Sequence, residues 1–116
     1  DAVACAETVT DIIAALRPDI QWTNRYSTYY CRKDLLNGHS FARVEVPQRG
    51  DIILSATEYG GKNGVANGHM GFVMDNNTVA SNDSRSGMFD INYTIDSWRR
   101  YFVEKGGFEV LYFRMI

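Results

Sequence analysis

Apolar residues recur at Cys5, Val9, Ile12, Ile13 and Leu16, the i, i+4, i+7, i+8, i+11 spacing of a helix packed on one side. Glu7, Thr8, Thr10 and Asp11 interrupt that stripe on its outer side. Asp1 reads as the N-cap and Pro18 as the stop, which predicts a helix over residues 1–16 with Cys5 in or near its first turn. From residue 19 to 45 the periodicity is poor. A polar aromatic patch (Trp22, Tyr26, Tyr29, Tyr30) is followed by the Asn37–Gly38 pair, so this stretch reads as loops with one or two short turns of helix.

From Pro47 onward short β-rich runs alternate with turn residues, the texture of an antiparallel sheet. Strands are expected over residues 51–56, 68–75 and 78–82, the last two joined as a hairpin by Asp75-Asn76-Asn77. Residues 96–103, with Trp98, Tyr101 and Phe102, predict a short helix that Gly106–Gly107 ends. Residues 108–115 then form a closing strand. A helix followed by a mostly antiparallel sheet is an α+β domain, with no internal repeat and no linker across residues 1–116.

Composition narrows the class. The 116 residues are 45% hydrophobic and include seven Tyr, six Phe and two Trp, enough burial to exclude disorder. A net charge of −2 excludes a phosphate-tracking surface, so nucleic acid is not an expected partner. No apolar run reaches a membrane span, and no signal peptide is visible. The missing initiating Met leads us to expect one domain cut from a longer chain. Two cysteines, Cys5 and Cys31, are too few for a disulfide scaffold.

Cys5 is the first candidate nucleophile. Free N–H groups and the positive end of a helix dipole favour the thiolate, and the same amides can hold an oxyanion. Taken alone, a buried small residue on the apolar stripe is the commoner reading. His69 is the second candidate, entering a strand between Gly68 and Gly71. Alternation puts His69, Gly71 and Val73 on one face and Met70, Phe72 and Met74 on the other, so the glycines are expected to leave space around the ring on an open face. On the partner strand Asn82 or Asp83 could orient the imidazole, with register deciding between them. A polar turn is the ordinary reading of residues 81–84. Cys31 is read as core, with its approach to Cys5 left open. His39 is read as surface, and Arg49-Gly50-Asp51 as a turn rather than an adhesive tripeptide. The scattered His and Cys show no zinc spacing.

A helix-starting Cys, a Gly-flanked His and then an Asn, in that order, is the layout of a papain-type cysteine hydrolase. Over most of its length the chain resembles the NlpC/P60 and CHAP group of papain-like peptidoglycan hydrolases, particularly the short domains of bacteriophage lysins. The resemblance rests on Ala4-Cys5-Ala6-Glu7-Thr8-Val9, on Pro47-Gln48-Arg49-Gly50-Asp51-Ile52-Ile53, and on Asn67-Gly68-His69-Met70-Gly71-Phe72-Val73. It implies a papain-like fold and attack by Cys5 on an amide of a peptidoglycan peptide. It further implies His69 as general base, Asn82 as the orienting residue with Asp83 as its substitute, and action at the bacterial cell wall on its periplasmic or extracellular side. Some members bind calcium through acidic residues before the Cys; only Asp1 stands there, so no metal or other cofactor is expected. The loop over residues 57–67 would border the groove, with Trp22, Tyr29 or Tyr30 as its opposite wall. Two other classes fit the same residues: a non-catalytic cell-wall or protein-binding module, and a toxin or acyltransferase of this fold.

Overall fold

A computed structural model describes residues 2–83 and 85–116. Asp1, the expected helix cap, and Ser84 lie outside the described residues. Helix α1 (Ala2–Leu16) ends before Pro18 as expected. Its buried face is Cys5, Ala6, Val9, Thr10 and Ile13, whereas Leu16 is exposed. Thr10, expected on the outer side, is therefore inside; its hydroxyl donates to the Ala6 carbonyl at 2.9 Å, which satisfies the polar group within the helix. Helix α2 (Thr28–Asn37) is longer than the short turns the pattern suggests. Ser27 caps it by accepting the Tyr30 N–H, and Thr28, Cys31 and Leu35 form its buried stripe.

Six strands follow: β1 (Phe41–Val44), β2 (Ile52–Ser55), β3 (His69–Val73), β4 (Thr78–Asn82), β5 (Phe89–Thr94) and β6 (Leu111–Met115). They form one sheet in the order β1-β6-β2-β3-β4-β5, with every neighbouring pair antiparallel. The fold is thus α+β, as the element order implied. Strands β1 and β5 fall in segments where the pattern predicts none. The β3–β4 hairpin turns through Asn76 and Asn77, both at positive φ (56° and 57°), which asparagine tolerates better than most residues. Between β5 and β6, helix α3 (Ile95–Trp98) continues into a wider π-helical coil over Arg99–Lys105.

The sheet is covered on both faces. On one side α1 and α2 pack Cys5, Val9, Ile13, Cys31 and Leu35 against Ile52, Leu54, Met70 and Phe113. On the other, Trp98, Phe102 and Phe108 cover Ile53, Val73, Val79 and Tyr112. Strand alternation sorts neighbours such as Ile52 and Ile53 into different layers. The open face expected around His69 is therefore closed by aromatic rings, because the segment after β5 folds back over it. Burial of each large ring there is worth about 2–3 kcal/mol.

Arg49-Gly50-Asp51 is a turn, with Gly50 at φ 92°. Asp51 is buried, where its carboxylate accepts the Gln48 N–H at 2.7 Å and two bonds from Arg114 of β6 at 2.9 and 2.8 Å. Among the described residues no helix is long and apolar enough to cross a membrane.

Candidate functional site

Cys5 stands in the first turn of α1, where its thiol is fully buried. Burial pushes the thiol up to about 11, while backbone N–H groups of Met70, Ala6 and Cys5 itself pull it down. The Met70 N–H belongs to the residue after His69, so the thiol lies one step along β3 from the candidate base. The two side chains nevertheless enter different layers. Cys5 packs with Met70 on the helix side, and the His69 ring lies against Trp98, Phe102 and Tyr93, at centroid distances of 5.4, 5.7 and 6.0 Å. Cys31 shares the cluster of Cys5 without a disulfide between them, and burial pushes Cys31 up to about 12.

Burial pushes His69 down to about 4, against the Asn82 backbone carbonyl and the Asp83 carboxylate, which favour the protonated ring. The imidazole is therefore neutral at pH 7, and its burial disfavours taking up a proton at rest. Its Nε2 lies 2.9 Å from Ser81 Oγ. That hydroxyl donates its single proton to Asn92 Oδ1 at 2.7 Å, and Asn92 Nδ2 donates to the Ser81 carbonyl at 3.0 Å. The second bond fixes which end of the amide faces Ser81. With its proton committed to Asn92, Ser81 Oγ accepts from His69 Nε2–H, and Nδ1 is left as the basic nitrogen.

The residue on the ring is thus Ser81, the neighbour of Asn82. Asn82 reaches the imidazole through its backbone carbonyl, while its side-chain Oδ1 is buried with no hydrogen-bond partner among the described residues. An acceptor left in that state costs about 1–3 kcal/mol. Asp83 spends its Oδ1 on the N–H groups of Arg85 and Ser86. The sequence pattern does not single out Ser81 or Asn92. The available signal is register: Gly71 pairs with Ser81, so strand alternation puts Ser81 on the face of His69. Asn92 owes its position to a bulge. Val79 pairs with Tyr93 and Ala80 with Ile91, which leaves Asn92 as the extra residue of β5.

The glycines flanking His69 serve close backbone approach rather than substrate access. A Cβ on Gly68 would stand 1.9 Å from the Ser55 carbonyl oxygen, and one on Gly71 would stand 2.5 Å from that of Ala80. Gly68 is also tied to α2: its N–H donates to Thr57 Oγ1 at 3.1 Å, and that hydroxyl lies 3.2 Å from Thr28 Oγ1.

A cavity of about 580 Å³ opens beside His69, bordered by the end of the expected loop, residues 64–68, and by Asn82, Asn92, Tyr93 and Tyr101. Its aromatic wall comes from the β5–π-helix segment. Trp22 lines a separate cavity of about 310 Å³ with Asp34 and Phe41, and Tyr29 packs against Tyr30 and Tyr59. His39 is exposed, as expected. Compared with models of known protein families and with curated proteins, the chain matches none.

Proposed function

We propose that this chain is a cysteine amide hydrolase of the papain-like NlpC/P60 and CHAP type, cleaving peptide amides of bacterial peptidoglycan. One arrangement carries the reading: Cys5 packs with Met70, the residue after His69, and His69 is an imidazole oriented through Ser81 and Asn92 at the edge of a cavity. The three motifs that resemble the family supply the substrate class.

The reaction starts from a neutral pair. Once substrate binding brings together the ring and the thiol, which rest in different layers, His69 Nδ1 takes the thiol proton as the sulfur attacks the amide carbonyl, forming the C–S bond and a tetrahedral oxyanion. Backbone N–H groups at the start of α1, that of Cys5 among them, hold the oxyanion, while Ser81 Oγ and the Asn82 carbonyl support the imidazolium. The imidazolium then protonates the leaving amine as the C–N bond breaks. Water, deprotonated by the same ring, releases the carboxylic acid and restores the thiol. Cys5 has no exposed surface at rest, so substrate binding must uncover it.

The buried, unionised thiol also favours a second reading, a binding module that keeps the fold without the reaction. Mass spectrometry of soluble muropeptides incubated with the protein separates the two. Hydrolysis by the native chain and its loss, by at least a thousandfold, in Cys5→Ser is the expected result. Full activity in Cys5→Ser defeats the proposal, and binding without any cleavage by the native chain establishes the module.

A further inference from the structure

Two opposite charges, Asp83 and Arg85, line the cavity beside His69 together with Asn67, Asn92 and Tyr101. They are its only charged lining residues, and neither joins an ion pair among the described residues. Strand alternation from Ser81 carries Asp83 to the face of His69, and its carboxylate lies close enough to favour the protonated ring. A tight turn fixes it there: the Asp83 N–H donates to the Met88 carbonyl and its own carbonyl accepts the Gly87 N–H, both at 2.8 Å, with Gly87 at φ 73°. Asp83 Oδ1 accepts the N–H groups of Arg85 and Ser86 at 2.7 and 3.2 Å, which keep the carboxyl ionised, and Oδ2 takes no hydrogen bond from any described residue. The Arg85 side chain is exposed, on the same turn but beyond ion-pair distance of Asp83. Held apart at one wall, the two charges complement a ligand that carries both signs. A ligand with a single charge gains less, because the like-charged neighbour opposes it.

We propose that this wall is a subsite for a free α-amino acid end on the substrate peptide, its ammonium on Asp83 Oδ2 and its carboxylate on the Arg85 guanidinium. The inference rests on the hydrolase reading above and names the class of peptide that the cavity selects, one whose branch ends in an unblocked amino acid group. The guanidinium is a planar fork that a carboxylate fills with two parallel bonds, and Oδ2 is the acceptor that the turn leaves over for an ammonium. Both contacts are charge-assisted, and a ligand seated in the cavity displaces the water that weakens such pairs at an open surface. Because Asp83 lies beside His69, the branch is fixed next to the base, and the amide cleaved is one close to the branching residue.

The test uses the whole chain, native and as Cys5→Ser so that bound peptide stays uncleaved, with soluble muropeptides containing meso-diaminopimelate in three forms. One form is unblocked, one is amidated at the free carboxylate and one is acetylated at the free amine. Calorimetry on Cys5→Ser is expected to show each blocked form binding about tenfold more weakly than the unblocked one. Adding Arg85→Gln should abolish the amidation penalty and keep the acetylation penalty. Asp83→Asn, whose amide oxygen still accepts the N–H groups of the turn, should do the reverse. Equal binding of the three forms, no binding of the unblocked form, or penalties of the same size with and without the Asp83 and Arg85 substitutions overturns the subsite. The two claims fail separately. A native chain that cleaves none of the muropeptides defeats the hydrolase reading, and the same calorimetry on that chain still decides the subsite. A native chain that binds and cleaves all three forms alike defeats the subsite alone.

Discussion

His69 shows how one residue links stability to the site. Its ring is pressed among Trp98, Phe102 and Tyr93, and burial lowers its pKa from 6.5 to about 4. Between those values the unfolded chain takes up a proton that the folded chain does not. Stability therefore falls as pH drops through about 6.5 and levels off below about 4, by on the order of 3 kcal/mol in all. His69→Gln lacks this proton. Urea unfolding at pH 7 and pH 4.5 should show a larger acid loss in the native protein than in the variant. Equal losses would mean that the ring is not held neutral in the fold. The same burial accounts for a limit of the sequence reading: the Gly-flanked His marks a candidate base, but nothing near it in the chain announces the rings that arrive about thirty residues later.

Elements explain which parts of the site were legible. The β3–β4 hairpin could be read because Asp75-Asn76-Asn77 accepts positive φ and the flanking runs alternate. Strand β5 could not, because its bulge breaks the period-2 pattern across Phe89-Asp90-Ile91-Asn92-Tyr93-Thr94. Strand β1 is short and lies at the sheet edge, with Ala42 and Arg43 exposed, so its pattern carries little burial signal. Cys5 and His69 were visible from residue type and neighbours. The ring's partner was not, since choosing among Ser81, Asn82 and Asp83 needs the register that pairs Gly71 with Ser81. The bulge has a consequence for activity. Removing the Asn92 amide frees the Ser81 proton to rotate toward Nε2, and the ring loses its assigned tautomer. Asn92→Ala should lower kcat by about 10–100-fold, the usual scale for a residue that orients a functional side chain. KM should stay near its native value, and Asn92→Asp, which retains the acceptor, should restore part of the rate. A matched fall in kcat and melting temperature, without rescue by Asp, would reduce Asn92 to a structural role.

At the scale of the molecule the last strand in sequence is an interior strand in space. Strand β6 lies between β1 and β2 and is paired on both edges. Leu111 and Phe113 enter the layer that holds Cys5, and Tyr112 enters the layer that holds Trp98 and Phe102, together with Phe108 just before the strand. No other strand delivers three consecutive large residues to both layers so late in the chain. The site depends on this closure, because α1 carries Cys5 against β3, and β3 is held from one side by β2, whose other edge is β6. Four large side chains at about 2–3 kcal/mol each amount to most of the stability of an ordinary domain, about 5–15 kcal/mol. Deleting residues 108–116 also bares the edge of β2, an apolar template for aggregation. The shortened chain should show no cooperative thermal transition by circular dichroism and no protected core amides in hydrogen exchange. A cooperative melt in that chain would mean that the two layers close without β6, and that the sheet around Cys5 and His69 is held by β2, β3, β4 and β5 alone.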